Sequence, residues 1–288
     1  MKQPVFPIPG STPFKYYHSA EVLNLFVIKI GGSEGIDYSS FIEDLVQYED
    51  WILVHGGSAE LNRISEELGH PPRFVESVSG YTSRYTDRET LEMINMVYPG
   101  KMNKMIVEKL QQKGVNAVGL SALDGRILEC KRKSTLKIKK GEKKMVLRGE
   151  HSGIIKNVNT ELLDLLITGG YSPVLTIPAV SFEGTAVNVD GDRAAAEIAQ
   201  AMGADELIIL SNVPGLLEDV DDPDSVVGHI NEDEIDYYLE EHAEGRMKKK
   251  LLGIKEALAA GVGSVTLSGA TTTSPLTQAL EGRGTTIE

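Results

Sequence analysis

The sequence predicts an α/β fold built on a mostly parallel sheet. Two apolar runs, at 25–30 and 51–55, each end at a glycine pair, Gly31-Gly32 and Gly56-Gly57, and a segment of helical periodicity follows each pair. Further short apolar runs then alternate with amphipathic segments, which is typical of parallel sheets covered by helices. Successive strand–turn–helix units bring their turns to the carboxyl edge of the sheet, where such folds bind ligands.

The first run carries a single lysine, Lys29, just before Gly31-Gly32. A lysine in a buried strand is costly unless it faces an anion or a carboxylate. Glycines beside it leave backbone N–H groups open to a phosphate. The alternative is a lysine at a frayed strand end, but a second glycine turn at the same sheet edge favours an anion site.

The remaining pattern predicts helices and strands in alternation. The predicted helices are 38–47, 59–68, 88–97, 102–113, 161–167, 194–202 and 247–259. The predicted strands are 51–55, 117–120, 173–177, 206–210 and 264–267, with an edge strand after Gly282. Residues 71–80 read as a loop or hairpin. We expect Ser58 to cap the second helix, and Asp87 or Thr86 to cap the third.

Two stretches stand out by charge. Residues 131–148 contain nine basic residues and one acid, a local charge of +8, and their alternation predicts a hairpin that turns at Gly141. This segment is either a solvated face or a surface for an acidic partner. Residues 217–236 are acidic, and because their spacing matches no calcium loop we expect a solvated loop.

Three later segments also stand out: residues 188–192, the turn 211–215 and the lysines 248–250. Asn188, Asp190 and Asp192 alternate, which would point them to one side of an extended segment, although a helix cap with turn residues is the alternative. The turn 211–215 follows another predicted strand at the same sheet edge. Lys248-Lys249-Lys250 open a predicted helix, where cations oppose the helix dipole unless an anion binds.

Composition excludes several classes of protein. The chain has 288 residues, a formal charge of −13 and one cysteine, Cys130. These values argue against nucleic acid binding and suit a reducing cytoplasm. No apolar run approaches the ~18 residues of a membrane span. Residues 1–22 contain four prolines and no apolar signal sequence, which predicts a flexible leader to about Pro13 and then a short helix through Tyr16 and Tyr17.

The chemical inventory points to phosphoryl transfer. The sequence has no GxxxxGK[ST] loop, no GxGxxG and no HExxH, and nothing supports a nucleophilic serine or cysteine. What remains is two glycine turns, two separated lysine sites, an arginine and an Asn/Asp array. Positioning and charge neutralisation dominate phosphoryl transfer, and these residue types supply both.

These motifs resemble the amino acid kinase family and occur in its order: 29–32, 55–57, 84–87, 188–192 and 247–250. The similarity runs from about Leu25 to the end and is strongest with the acetylglutamate kinase branch. Segments 80–87 and 187–193 look most like the LysW-linked aminoadipate/glutamate kinases. The resemblance implies a three-layer α/β/α sandwich with a mostly parallel central sheet, ATP with Mg²⁺, a small acidic LysW-like carrier protein as partner, and a homodimer.

The resemblance also implies roles for individual residues. Lys29 and Lys250 would stabilise the transferred phosphoryl group, and Asp192 would hold both lysines. Gly32 and Gly57 would donate backbone N–H groups to it. The residues implied in binding fall into two sets: Gly56, Gly57, Arg84 and Asn188 for the acceptor, and Gly31, Gly32, Ser211, Asn212 and Gly215 for the phosphates and ATP.

Arg84 would hold the α-carboxylate of the acceptor, and its alternative is a surface pair with Asp87 or Glu89. The hairpin lysines expected to dock the carrier are Lys137, Lys139, Lys140 and Lys143.

The implied organisation is a leader over 1–22, an acceptor-binding lobe over 23–180 and an ATP-binding lobe over 181–288. Two features of the sequence depart from the pattern of the acetylglutamate kinases. Asp190 stands where acetylglutamate kinases usually have an asparagine, which favours the carrier-linked branch. The leader is unusually long. One alternative function is a plain N-acetylglutamate kinase. A second alternative, from a different functional class, is a non-catalytic protein that binds an amino acid.

Overall fold

The computed structural model describes residues 24–288 except Ser79, Tyr81, Glu142 and Glu244, so the predicted leader and its short helix lie outside the described residues. The strands are β1 (Phe26–Ile30), β2 (Trp51–His55), β3 (Phe74–Glu76), β4 (Thr82–Arg84), β5 (Ala117–Ser121), β6 (Leu128–Lys140), β7 (Lys143–Val158), β8 (Ser172–Thr176), β9 (Ala179–Ser181), β10 (Ala186–Val187), β11 (Glu206–Ser211), β12 (His229–Ile230), β13 (Ser264–Gly269) and β14 (Thr285–Ile287).

Helices connect most of these strands. They are α1 (Tyr38–Leu45), α2 (Ser58–Glu67), α3 (Arg88–Asn95), α4 (Asn103–Gln112), α5 (Thr160–Thr168), α6 (Gly191–Met202), α7 (Ile235–Glu241), α8 (Gly245–Ala259) and α9 (Pro275–Leu280). A π-helix, Met96–Met102, joins α3 to α4 and contains Pro99. Among the described residues, no helix is long and apolar enough to cross a membrane.

The central sheet has eight strands in the order β12-β14-β13-β11-β1-β2-β8-β5. Its pairs are parallel except β13–β14. Strand β1 lies between β2 and β11, so Lys29 faces Val54 on one side and Ile209 on the other. The turns after β1, β2 and β11 therefore meet at one edge, as expected for parallel neighbours.

Two layers of helices cover the sheet, which confirms the three-layer α/β/α architecture. Alternate residues of β1 enter different cores because side chains of a strand point to opposite faces. Val27 packs in the core that includes α2, α3, α5, α6 and α8. Ile28 and Ile30 pack in the core that includes α1, α4 and α9. Lys29 therefore emerges on the face that carries α6 and α8.

The basic segment forms the predicted hairpin, with β6 and β7 antiparallel and Gly141 at the turn with φ +61°. It belongs to a second, four-stranded sheet with β9 and β10. Lys137, Lys139 and Lys143 are exposed, and the described chain includes Lys140 but not its side chain. The hairpin also contacts the small β3–β4 ribbon, because Ser77 bridges Ile138 and the Val78 N–H donates to the Lys137 carbonyl oxygen (3.1 Å).

The structure corrects the prediction near the C-terminus. Strand β14 is not the sheet edge, because β12 pairs with it in parallel and lies outside it. That pairing also takes His229 and Ile230 out of the predicted solvated loop. Ile230 and Ile235 are fully buried, so two apolar residues anchor an otherwise acidic stretch.

Some helices begin at a different residue from the one predicted, because a different residue occupies the cap position. Ser58 does not cap α2: it is the first helical residue, Gly57 occupies the cap position, and the Ser58 hydroxyl donates to the Gly32 carbonyl oxygen (3.0 Å). Asp87 caps α3 as predicted, accepting from the Thr90 N–H. Helix α8 begins at Gly245, so its lysines lie beyond the first residues of the helix.

Candidate active site

Two lysines from distant parts of the chain meet on one carboxylate. Lys29 Nζ lies 2.6 Å from Asp192 Oδ1, and Lys250 Nζ donates to Asp192 Oδ2 at 2.6 Å. Lys29 comes from β1, Asp192 from the first turn of α6, and Lys250 from α8. Because α6 and α8 cover the sheet face on which Lys29 emerges, the three side chains converge above the carboxyl end of β1.

Because the triad is buried, its three charged groups interact strongly. Lys29 is only 8% exposed. Burial alone would raise the pKa of Asp192, but the ammonium groups of Lys29 and Lys250 hold that pKa far below its usual range. Burial lowers the pKa of Lys250, and Asp192 opposes this shift. The triad thus carries two cations and one anion, a net positive charge in a largely dry site.

A second ion pair flanks the triad, and the sequence did not predict it. Asp190 caps α6, since its Oδ1 accepts from the N–H groups of Asp192 (3.1 Å) and Arg193 (3.2 Å). Its Oδ2 binds Lys249 Nζ at 2.5 Å. The expectation that Asn188, Asp190 and Asp192 share one extended segment is therefore wrong. The structure shows the alternative, a helix cap, because Asp190 caps the helix that starts at Gly191.

The two glycine turns touch each other. A Cβ atom on Gly32 would lie 1.9 Å from the Gly57 nitrogen, and one on Gly56 would lie 2.9 Å from the Gly32 nitrogen. No side chain fits between backbones this close. Gly31 is anchored by its N–H to the Leu210 carbonyl oxygen (2.8 Å), and Gly56 by its N–H to that of Ile30 (3.0 Å). The structure therefore brings Gly31, Gly32, Gly56 and Gly57 into one backbone cradle.

His55 fixes the second turn from below. Asn103 Nδ2 donates to the Val174 carbonyl oxygen (2.9 Å) and to His55 Nε2 (3.1 Å). Nε2 is therefore the acceptor of the ring, so Nδ1 carries the proton and donates to the Gly56 carbonyl oxygen (2.8 Å). Burial lowers the pKa of His55 to about 4, and Lys104 contributes, so the ring is neutral. A polar residue ending a buried strand signals such a partner, but the sequence does not show which.

Arg84 and Asn188 meet through Thr86. Arg84 donates from Nη2 to Asn62 Oδ1, and its guanidinium lies 5.0 Å from the Phe74 ring centroid. The Thr86 hydroxyl accepts from Asn188 Nδ2 (2.9 Å) and contacts the Arg84 carbonyl oxygen (3.4 Å). Two of the four residues predicted to bind the acceptor, Arg84 and Asn188, thus contact one short segment at the exit of β4.

Tyr98 is a further buried polar residue at this place. It belongs to the π-helix, an element often found at functional sites. Burial raises the pKa of Tyr98 to about 12, with Arg84, Asp190 and the Gly57 N–H also acting on its hydroxyl. The Tyr98 ring lies against the glycine cradle, since a Cβ atom on Gly57 would stand 3.6 Å from its Cδ2 and Cε2 atoms. Only the unusual Tyr98-Pro99 pair in a helical pattern could have drawn attention to it.

The turn after β11 lies beside the cradle. A Cβ atom on Gly31 would lie 3.7 Å from the Ser211 Cα. Ser211 is buried, whereas Asn212 is exposed at the rim. Gly215 has a packing reason to be glycine, because a Cβ atom there would lie 2.7 Å from Thr285 Oγ1. Ser211 is thus next to the cradle, and Gly215 is held against β14.

The described residues include no group of three His, Cys, Asp or Glu side chains that could hold a metal ion. The carboxylates of Asp190 and Asp192 already bind lysines. A magnesium ion fits this site only as the companion of a nucleotide, held mainly by phosphate oxygens and water.

Comparisons with known proteins find kinases that are similar to this chain. The chain is 53% identical to the [LysW]-aminoadipate kinase of Deinococcus radiodurans, covering 95% of both chains. It is 46% identical to that of Thermus thermophilus, covering 91% of this chain and all of that one. It is 39% identical to an acetylglutamate kinase of Methanopyrus kandleri over 91% of this chain and 99% of that one.

A solved structure shares the fold. The N-acetylglutamate synthase of Neisseria gonorrhoeae matches with a TM-score of 0.74 at 22% identity, over 92% of this chain and 59% of that one. The model of the amino acid kinase family matches residues 24–267. With the lysine–aspartate triad and the glycine cradle in the order predicted from the sequence, the chain belongs to the amino acid kinase family.

Proposed function

We propose that the chain phosphorylates the side-chain carboxylate of 2-aminoadipate, glutamate or both, with ATP as donor and with the amino acid linked to a small acidic LysW-like carrier protein. The identities with two [LysW]-aminoadipate kinases support this proposal. The observation that carries it is the exposed basic hairpin hydrogen-bonded to the segment that bears Arg84.

The site suits an acceptor that is already an anion. A carboxylate is ionised at neutral pH, so the reaction needs no general base. An oxygen of that carboxylate attacks the γ-phosphorus, the new O–P bond forms, and the bond from phosphorus to the ADP oxygen breaks. The products are an acyl phosphate and ADP. The main barrier is repulsion between the acceptor and the γ-phosphate.

In this proposal Lys29 and Lys250 offset that repulsion, and Asp192 holds both ammonium groups in place. The N–H groups of Gly32 and Gly57 bind oxygens of the transferred group. Arg84 binds the acceptor α-carboxylate, and Asn188 and Gly56 contact the acceptor. Gly31, Ser211, Asn212 and Gly215 lie towards the nucleotide. Mg²⁺ bound to ATP would neutralise part of the phosphate charge.

The basic hairpin distinguishes the carrier-linked acceptor from a free one. The Tyr85 hydroxyl donates to the Arg148 carbonyl oxygen (2.6 Å), and the His151 N–H donates to that of Thr86 (2.8 Å). The hairpin is thus bonded to the strand exit that follows Arg84. A free N-acetylated amino acid gives no reason for a charge of +8 there, whereas an acidic carrier does, because opposite potentials speed encounter and fix orientation.

The proposed function is tested by comparing three acceptors as substrates: carrier-linked aminoadipate, carrier-linked glutamate and free N-acetylglutamate. ADP release gives kcat/KM for each, and hydroxylamine traps the acyl phosphate as a hydroxamate. We expect the carrier-linked acceptors to be preferred. A preference for N-acetylglutamate would make the chain an acetylglutamate kinase, the activity named for the relative from Methanopyrus kandleri. No hydroxamate from any of the three would leave a non-catalytic binding protein.

The docking role of the hairpin has its own test. Replacing Lys137, Lys139, Lys140 and Lys143 with glutamate should lower kcat/KM for the carrier-linked acceptor and leave the ATP dissociation constant unchanged. Added salt should shrink the wild-type advantage, since exposed charges are screened beyond ~10 Å at 0.1 M. A matched control compares Lys137→Glu/Lys143→Glu with Lys109→Glu/Lys113→Glu, an equal charge change in the last turn of α4 and at the residue after it. Equal effects would make the hairpin a solvated face.

The proposal includes a homodimer in the cytoplasm, with the acceptor bound mainly by residues 23–180 and ATP mainly by residues 181–288. Sedimentation equilibrium tests the dimer. The lobe assignment predicts that changes at Arg84 alter the acceptor KM, and that changes at Asn212 alter the ATP KM.

A further inference from the structure

We propose that Tyr38 is a positioning residue that aims the N–H groups of Gly32 and Gly57 at the transferred phosphoryl group. Tyr38 is the first residue of α1 and lies outside the motifs described above. Its hydroxyl donates to the Gly31 carbonyl oxygen at 2.7 Å, and the Gly56 carbonyl oxygen lies 3.4 Å from the same hydroxyl. One side chain thus contacts both glycine turns.

The geometry of the peptide bond gives these contacts their meaning. In a trans peptide the C=O of one residue and the N–H of the next belong to one rigid plane and point in opposite directions. The Gly31 carbonyl shares its plane with the Gly32 N–H, and the Gly56 carbonyl shares its plane with the Gly57 N–H. A donor that fixes the two carbonyls therefore fixes the direction of both N–H groups.

The sheet uses neither of those two N–H groups, although the Gly57 N–H also acts on the Tyr98 hydroxyl. Neither donates to a backbone carbonyl of the described residues. The neighbouring N–H groups of Gly31 and Gly56 are instead used by the Leu210 and Ile30 carbonyls. In each turn, therefore, the N–H of the first glycine bonds to the sheet and the N–H of the second lies at the sheet edge. The carbonyl groups of Gly31 and Gly56 point towards Tyr38.

Tyr38 is itself held firmly enough for this task. The Asp37 carboxylate caps α1 by accepting from the Ser39 N–H (2.8 Å), and Phe41 and Ile42 bury the same helix in the core. Burial and the nearby Tyr98 raise the pKa of the Tyr38 hydroxyl, so it keeps its proton and remains a donor. His55 adds a second donor to the Gly56 carbonyl, whereas the Gly31 carbonyl accepts from Tyr38.

The inference rests on phosphoryl transfer at these turns, and its test is Tyr38→Phe, which removes only the hydroxyl. A misplaced donor loses transition-state stabilisation more than ground-state binding. We expect kcat to fall by about 10- to 100-fold while the KM values for ATP and acceptor change less than about twofold. The matched control is Tyr48→Phe, whose lost hydroxyl bonds Thr277 Oγ1 (2.8 Å) away from the turns. It should keep the wild-type kcat.

A merely structural hydroxyl would lower the melting temperature of both variants alike and leave kcat per folded molecule unchanged, and that result would overturn the proposal. A readout without turnover separates it from the proposed function. In protein labelled with [¹⁵N]glycine, Tyr38→Phe should shift the amide resonances of Gly32 and Gly57 and weaken their response to inorganic phosphate. Unaltered resonances with an unaltered phosphate response would refute the positioning role whatever the enzyme phosphorylates.

Discussion

Gly32 and Gly57 lie so close that a single added carbon on Gly32 would stand 1.9 Å from the Gly57 nitrogen. The obstacle is backbone rather than a flexible side chain, so one turn would have to move. We expect Gly32→Ala to lower kcat by at least about 100-fold, because a donor displaced by about 1 Å costs that much. Steady-state kinetics and the melting temperature check it. Gly228→Ala is the control, since a Cβ there meets open space and the φ angle lies outside the left-handed region.

The triad predicts that its two lysines act in the transition state. Lys29→Ala or Lys250→Ala should lower kcat by about 100-fold or more, by analogy with removing one charge-stabilising donor. The fold should survive, because Asp192 keeps one partner in each variant. Lys255→Ala is the control on the same helix, since Lys255 pairs with Asp236 at the surface. Near-normal kcat in both triad variants would remove these lysines from the mechanism.

Asp192 predicts a pH dependence of stability. Its pKa is lower in the folded than in the unfolded state because two ammonium groups face it. The carboxylate therefore stabilises the fold fully above the unfolded pKa of about 4, and this stabilisation is lost as the pH falls below that value. Urea unfolding of wild type and Asp192→Asn from pH 7 to pH 3 should show a difference in unfolding free energy that shrinks on acidification. A constant difference would mean that the lysines do not perturb Asp192.

From the position of Arg84 we expect its replacement to change the KM of the acceptor much more than the KM of ATP. Arg84→Lys keeps the charge but loses the planar fork that binds a carboxylate through two N–H groups. The acceptor KM should rise about tenfold, while the ATP KM changes little. Arg88→Lys is the matched control, since Arg88 pairs with Glu92 on the exposed side of α3. An unchanged acceptor KM would limit Arg84 to its contacts with Asn62 and Phe74.

The parts of the fold that the sequence predicted are those with a strong local pattern. The strand Trp51–His55 is an apolar run that ends in one histidine, and the hairpin has an alternating segment, Lys137-Ile138-Lys139, close to its turn at Gly141. Short elements escaped prediction because distant residues create them. The N-terminus of α9 is an example: the buried Asp44 carboxylate, from α1, accepts from the N–H groups of Leu276 (2.6 Å) and Thr277 (2.9 Å).

The same distinction holds at the site. Lys29, the glycine pairs and the Asn188–Asp192 segment are compact motifs, so a resemblance can find them. The contacts of Tyr38, Tyr98 and Asn103 join residues far apart in sequence: Asn103 reaches His55 across 48 positions, for example. No spacing rule links such pairs, because the sheet and its two helix layers bring them together.

The central position of β1 has a consequence for dissecting the chain. Five residues, Phe26–Ile30, pair with β2 on one side and β11 on the other, so the two halves share one sheet. A fragment ending near residue 180 would expose one flank of β1, and the complementary fragment would expose the apolar edge of β11. Bare edges of this kind invite association between chains. Produced separately, the fragments should aggregate; produced together, they should restore one another by re-forming the β1–β11 seam.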